Sequence, residues 1–153
     1  MLVYMWASQE KCYTTATGTV ANGAVLFTIT GGPIKVLDIM SECITANAAV
    51  ASTLQYSSTP TVGSATTISG ASASLVSATA GTTVRLAPTA LSTSPVVVAA
   101  SAGGVQLGTN VANYITVNAG TITAVVGVGT MTGTWRHHIR YAPLSPDSII
   151  AGN

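Results

Sequence analysis

The chain breaks into short β-branched runs separated by glycine and proline, and nowhere do ten or more residues carry apolar side chains at helical spacing. That one property removes folds built on crossover helices and leaves those made of many short strands joined by turns. The punctuation is regular in kind: Gly-Thr occurs at 18, 81, 108, 120, 129 and 133. Glycine gives the backbone freedom a turn needs, and threonine suits the strand that follows. The intervals are too uneven for a solenoid repeat. The expectation is an all-β protein, an antiparallel β-sandwich with jelly-roll-like character, forming a single domain over residues 14–153 behind an extended N-terminal arm over residues 1–13.

Individual strands follow from alternation. Val25, Phe27 and Ile29 alternate with Leu26, Thr28 and Thr30 across 24–30, and Gly31-Gly32-Pro33 ends the run. Residues 34–41 are apolar on both parities and read as a buried strand, with Lys35 and Asp38 interrupting opposite faces. A third strand is expected over 48–57, with Val50, Leu54 and Tyr56 on one side. Residues 60–80 are low in complexity, rich in Ser, Ala, Thr and Gly, and fit either a short helix around 73–78 or a loop with brief strands. Further strands are expected at 82–86, 96–98, 113–118 and 122–126. The terminal pair Ile149 and Ile150 is apolar enough that it should pack against the body.

The stretch 130–141 is the most informative. Met131, Trp135, Ile139 and Tyr141 share one parity, while Thr132, Thr134, Arg136, His138 and Arg140 share the other. One face should pack, with Trp135 in the core, and the other should meet water or a partner. In a chain with 6% charged residues, Arg136, Arg140 and both histidines fall within this one strand. Adjacent residues on a strand point to opposite faces, so His137 and His138 cannot share one metal ion within a chain, and no metal site is expected. No acid, base and nucleophile are grouped, and no nucleophile elbow, phosphate loop or dinucleotide fingerprint is present, so neither catalysis nor a cofactor is expected. Three basic side chains without a basic flank or a stacking platform make a poor nucleic-acid surface. They suit carboxylates or carbonyls of another protein, and with four acidic residues in the whole chain those carboxylates are expected from the partner.

Composition bears on association. The chain is 48% hydrophobic with a formal net charge of +1, so copies repel one another weakly and an obligate oligomer is expected. Tyr4 and Trp6 give the N-terminal arm the means to pack on a neighbouring subunit. Apolar runs stop well short of a membrane span, and the start of the chain lacks the pattern of a secretory signal, so assembly in a cytoplasm is expected, with no membrane partner. Cys12 and Cys43 read as small reduced side chains.

Residues 31–39 (Gly-Gly-Pro-Ile-Lys-Val-Leu-Asp-Ile), 118–122 (Asn-Ala-Gly-Thr-Ile) and 133–144 (Gly-Thr-Trp-Arg-His-His-Ile-Arg-Tyr-Ala-Pro-Leu) resemble small structural proteins of tailed-phage virions. The resemblance implies a β-sandwich or jelly-roll subunit, a homotrimer that decorates or cements the exterior of a capsid through non-covalent contacts with the major capsid protein. It implies no catalytic residues. On that reading Arg136, His138 and Arg140 supply polar contacts, and Trp6 and Tyr4 supply arm packing. A tail tube or fibre component and a carbohydrate-binding sandwich are the alternatives. The second needs exposed aromatics and carboxylates, which are scarce here.

Overall fold

The computed structural model of the chain describes residues 9–86, 96–98 and 115–152. Among them lie twelve strands: β1 (Lys11–Thr14), β2 (Gly18–Thr19), β3 (Val25–Thr30), β4 (Ile34–Thr45), β5 (Thr53–Pro60), β6 (Thr66–Thr67), β7 (Thr83–Leu86), β8 (Val96–Val98), β9 (Ile115–Val117), β10 (Gly120–Gly127), β11 (Thr134–Pro143) and β12 (Ile149–Gly152). The protein is all-β, with no helix among the described residues, and its strands form two antiparallel sheets that pack as a β-sandwich. The stretch 73–78 is a turn rather than a helix.

Sheet I runs β1-β11-β4-β7-β8, with β2 also on β11 and β9 also on β4. Its spine is the long antiparallel pair β4 and β11, which runs from Thr134 opposite Thr45 to Pro143 opposite Ile34 and shifts register twice, at Ile44 and at Leu37 of β4. Sheet II runs β12-β3-β10-β5-β6. The two inner faces meet in one core of Phe27, Ile29, Ile34, Val36, Ile39, Leu54, Tyr56, Leu86, Ile122, Trp135 and Ile139, each at 2% exposure or less. Tyr13 of sheet I stands edge-on to Phe27 of sheet II at a ring separation of 6.4 Å, a favoured aromatic geometry. At the terminal strand Ile150 is buried, while Ile149 is 53% exposed on the outer side.

The alternation of β11 holds through the strand: Trp135, His137, Ile139 and Tyr141 point inward, and Arg136, His138 and Arg140 outward. In β4 it does not. Arg140 pairs with Asp38 but Tyr141 pairs with Val36, so Leu37 is an extra residue, a β-bulge. Beyond it the parity of β4 flips. Ile34 and Val36 are buried, and so is Ile39, which puts Lys35 and Asp38 on the same outer face rather than on opposite faces. The expected third strand also shifts, beginning at Thr53; Val50 lies outside it and is 42% exposed.

The serine-rich stretch after β5 has a structural task. Backbone N–H groups of Ile68, Ser72 and Leu75 donate to carbonyls of Tyr56, Leu54 and Ser52. In return the N–H groups of Tyr56 and Leu54 donate to the hydroxyls of Ser69 and Ser72. The segment thus satisfies the free edge of β5 as a strand would, without adding an open edge of its own. Ile68 and Leu75 anchor it in the core.

At one end of the sandwich the turn before β4 packs on the turn after β11. Gly31 has a φ of +77°, and a Cβ there would run into the carbonyl oxygen of Asp147, so glycine is needed both for the conformation and for the approach. Leu144 N–H and the Ser148 hydroxyl both donate to the Pro33 carbonyl, at 3.0 and 2.9 Å. Tyr4 and Trp6, expected in an arm over 1–13, lie outside the described residues. The last part of that stretch belongs to sheet I: Lys11 to Tyr13 pair with Tyr141 to Ile139.

Candidate protein-docking face

The outer face of sheet I gathers almost all the charge of the protein. Lys35, Asp38 and Glu42 on β4, Arg85 on β7, and Arg136 and Arg140 on β11 all project there, and Glu10 reaches it from just before β1, leaving only Lys11 and Asp147 elsewhere. The strand register brings these charges within reach of one another, though only Arg136 pairs with the residue directly opposite it. Arg136 lies opposite Glu42 and Arg140 opposite Asp38 across the β4–β11 ladder, while β7 places Arg85 opposite Met40.

Three arginine–carboxylate pairs lie on it among the described residues. Arg85 grips Asp38 with a forked contact, its Nε at 2.9 Å and its Nη2 at 2.7 Å from Oδ2; hydrogen bonding to Asp38 pushes the guanidinium pKa higher still. Arg136 donates to Glu42 Oε2 at 2.8 Å, and Arg140 Nη1 lies 3.3 Å from Glu10 Oε2. The Arg136 guanidinium holds the Glu42 carboxyl below its usual range against the opposing effect of burial, with His138 adding a smaller pull in the same direction. His138 Nδ1 is bonded to the Thr14 hydroxyl at 3.0 Å. Its Nε2 faces Glu42 Oε2 at 3.4 Å without hydrogen-bond geometry. The arginines therefore meet carboxylates of their own chain, where the sequence led us to expect a partner's. Half-exposed pairs of this kind contribute about 0–1 kcal/mol each, so an incoming surface can exchange them at little cost.

Cys12, Thr14, Asp38, Met40, His138 and Arg140 line a shallow groove of about 240 Å³ on this face. Cys12 is exposed, Cys43 is buried, and both are free thiols; burial pushes the Cys43 pKa up. Among the described residues no three His, Cys, Asp or Glu side chains converge as metal ligands.

His137 turns the other way. Its Nδ1 lies 2.7 Å from Ser41 Oγ, and Ser41 Oγ lies 2.8 Å from the Tyr56 hydroxyl, so a buried polar chain links β11 and β4 of sheet I to β5 of sheet II. Burial, helped by the neighbouring His138, pushes the His137 pKa down to about 4, and burial raises that of Tyr56. Ser41 is fully buried, so its hydroxyl is a structural link out of reach of any substrate. Asn47, 5% exposed, is a second link: its side chain donates to the Leu75 carbonyl at 3.1 Å and accepts from Gly133 N–H at 2.8 Å and Trp135 Nε1 at 3.4 Å.

No protein-family model, curated protein or solved structure matches this chain. What the site can do therefore rests on its own residues. Arg136, His138 and Arg140 are brought together on one face. Glu10, Asp38, Glu42 and Arg85, which join that face, were invisible as a group until the register of β1 and β4 against β11, and of β7 against β4, was known.

Proposed function

We propose that the protein is a structural subunit of a tailed-phage particle that decorates and stabilises the exterior of the capsid as a homo-oligomer, a trimer by resemblance, bound to the major capsid protein. The observation that carries the reading is the placement of the family-like motifs. Residues 31–39 and 133–144 pack side by side as β4 and β11, and their outer sides carry the ion-paired face just described. A rigid sheet presenting Arg136, His138 and Arg140, with internal pairs cheap to exchange, suits docking to a protein lattice by polar contacts. Many copies, each bound modestly, would stabilise a shell collectively.

The sugar-binding alternative loses ground on geometry. Among the described residues Trp135, Phe27, Tyr56 and Tyr141 are buried, leaving the half-buried Tyr13 as the one aromatic ring near a surface. The test is co-sedimentation of the purified protein with particles assembled without it. Saturable binding that weakens at least about tenfold in the Arg136→Ala/Arg140→Ala double variant is expected. Absence of co-sedimentation by the unmodified protein would overturn the reading.

A further inference from the structure

The two outer faces of the sandwich differ in kind. Sheet I carries the charges, whereas the outward positions of sheet II carry none. The register arranges them in rows across the strands. Ala151, Thr28, Thr121 and Thr59 lie abreast; so do Val25, Thr123, Ser57 and Thr67; Val125 lies opposite Gln55, and Ile149 opposite Thr30. Apart from Gln55 these are short side chains, most of them β-branched or hydroxyl-bearing; the ladder skips Leu26 between the first two rows, Ser57 is buried, and Ile149 is exposed at the rim.

We infer that the outer face of sheet II is the surface through which copies of this chain associate, a second copy being its occupant. The inference rests on the self-associating reading above, but one face meeting the same face of a second copy closes as a two-fold dimer, in place of the trimer that the resemblance implies. A face without charge pays no desolvation penalty for ions when covered, and depletion of charge marks the centre of protein interfaces. Because the face has no net sign, it is compatible with another copy of itself, and the net charge of +1 adds little repulsion at longer range. Rows of Thr and Val present a low, even relief that can pack face to face as sheets do in a sandwich, about 10 Å apart. With strands about 4.8 Å apart and about 3.4 Å per residue, the five strands offer on the order of 500 Å² of plane. That is less than the roughly 800 Å² per partner of a standard stable interface and fits an association that depends on concentration. This arrangement also leaves the Arg136 face free for a different partner.

The experiment is solution mass by light scattering over a concentration series, without any capsid present, so that its outcome is separate from the shell-binding test. The unmodified protein is expected at a multiple of its 15.3 kDa subunit mass. Thr123→Lys, at the centre of the face, should weaken association at least about 100-fold through like charges set face to face, while circular dichroism and thermal unfolding report a folded domain. Thr123→Val should keep the oligomer. So should Thr116→Lys, an exposed position of β9 beside Lys35 on the outer side of sheet I. A monomeric unmodified protein would overturn the inference, and so would an oligomer indifferent to Thr123→Lys or one dissolved equally by Thr116→Lys. Self-association through this face with no shell binding would sink the decoration reading alone.

Discussion

Ser41 Oγ stands 2.7 Å from Nδ1 of His137, and both side chains lie between the sheets at 5% exposure or less. The imidazole is held neutral there, with its pKa lowered to about 4 by burial and by the charge of His138. Unfolded, it would titrate near 6.5. Between those values the unfolded chain binds the extra proton, so stability falls as pH drops from about 7 to about 4 and levels off below for this group. The span corresponds to about 3 kcal/mol. Glu42, also lowered, adds a loss in the same direction as pH falls below its unfolded value of 4.5. Urea unfolding at pH 7, 5.5 and 4 should show the decline, and His137→Gln should flatten most of it. A profile unchanged over that range in the unmodified protein would contradict this account.

Asn47 ties three segments that sequence order keeps apart: its own loop, the loop at Leu75, and the start of β11 through Gly133 and Trp135. Asn47→Ala would leave those buried groups without partners, and each unpaired group costs about 1–3 kcal/mol. A loss of about 2–4 kcal/mol in urea is expected. Asn47→Asp keeps the acceptor for Gly133 but loses the donor to Leu75, and should not restore full stability. A change below about 1 kcal/mol for the alanine variant would show that water replaces the side chain there.

Much of the fold was legible wherever a strand ran unbroken. The alternation of Trp135, Ile139 and Tyr141 against Arg136, His138 and Arg140 survives intact because β11 has no bulge of its own. The same counting failed for Lys35 and Asp38, because a bulge at Leu37 shifts parity and nothing in the local sequence marks it. The ion partners of the docking face were out of reach for a different reason. Glu42 meets Arg136 through a ladder between residues 94 positions apart, and short-range periodicity carries no register information. The serine-rich stretch read as low complexity because Ser69 and Ser72 act through hydroxyls on the edge of β5, a role that leaves no hydrophobic pattern.

Gly31 should tolerate no side chain. Its φ of +77° and its contact with the Asp147 backbone are independent obstacles, one conformational and one steric. Gly31→Ala is expected to cost more than the roughly 1 kcal/mol of an ordinary left-handed alanine, since the carbonyl it meets belongs to backbone and cannot rotate aside. Gly18, with open space around its Cβ direction, is the control: Gly18→Ala should change the melting temperature little. Equal effects at the two positions would remove the steric argument.

Arg136 and Glu42 form a half-exposed pair at 2.8 Å. A double-mutant cycle of Arg136→Ala and Glu42→Gln should return a coupling below about 1 kcal/mol in stability. A coupling of about 3 kcal/mol or more would make the pair a structural member and weaken the case that a partner exchanges it.

Val128 is strained in plain view. It is β-branched, holds a φ of +69° and is 83% exposed, so its side chain repays nothing through burial. The other non-glycine residue with positive φ among those described is Ser77. Its N–H bonds the Ala48 carbonyl in the loop that also exposes Val50. A β-branched residue in the left-handed region costs more than glycine does through its added chain entropy. Val128→Gly should therefore raise stability by about 1 kcal/mol, about 3 °C in melting temperature for a domain of this size. Val128→Ile, which keeps the branch, should give no gain. If glycine instead lowers the melting temperature, the valine is held by packing at that loop end, and the strain argument fails.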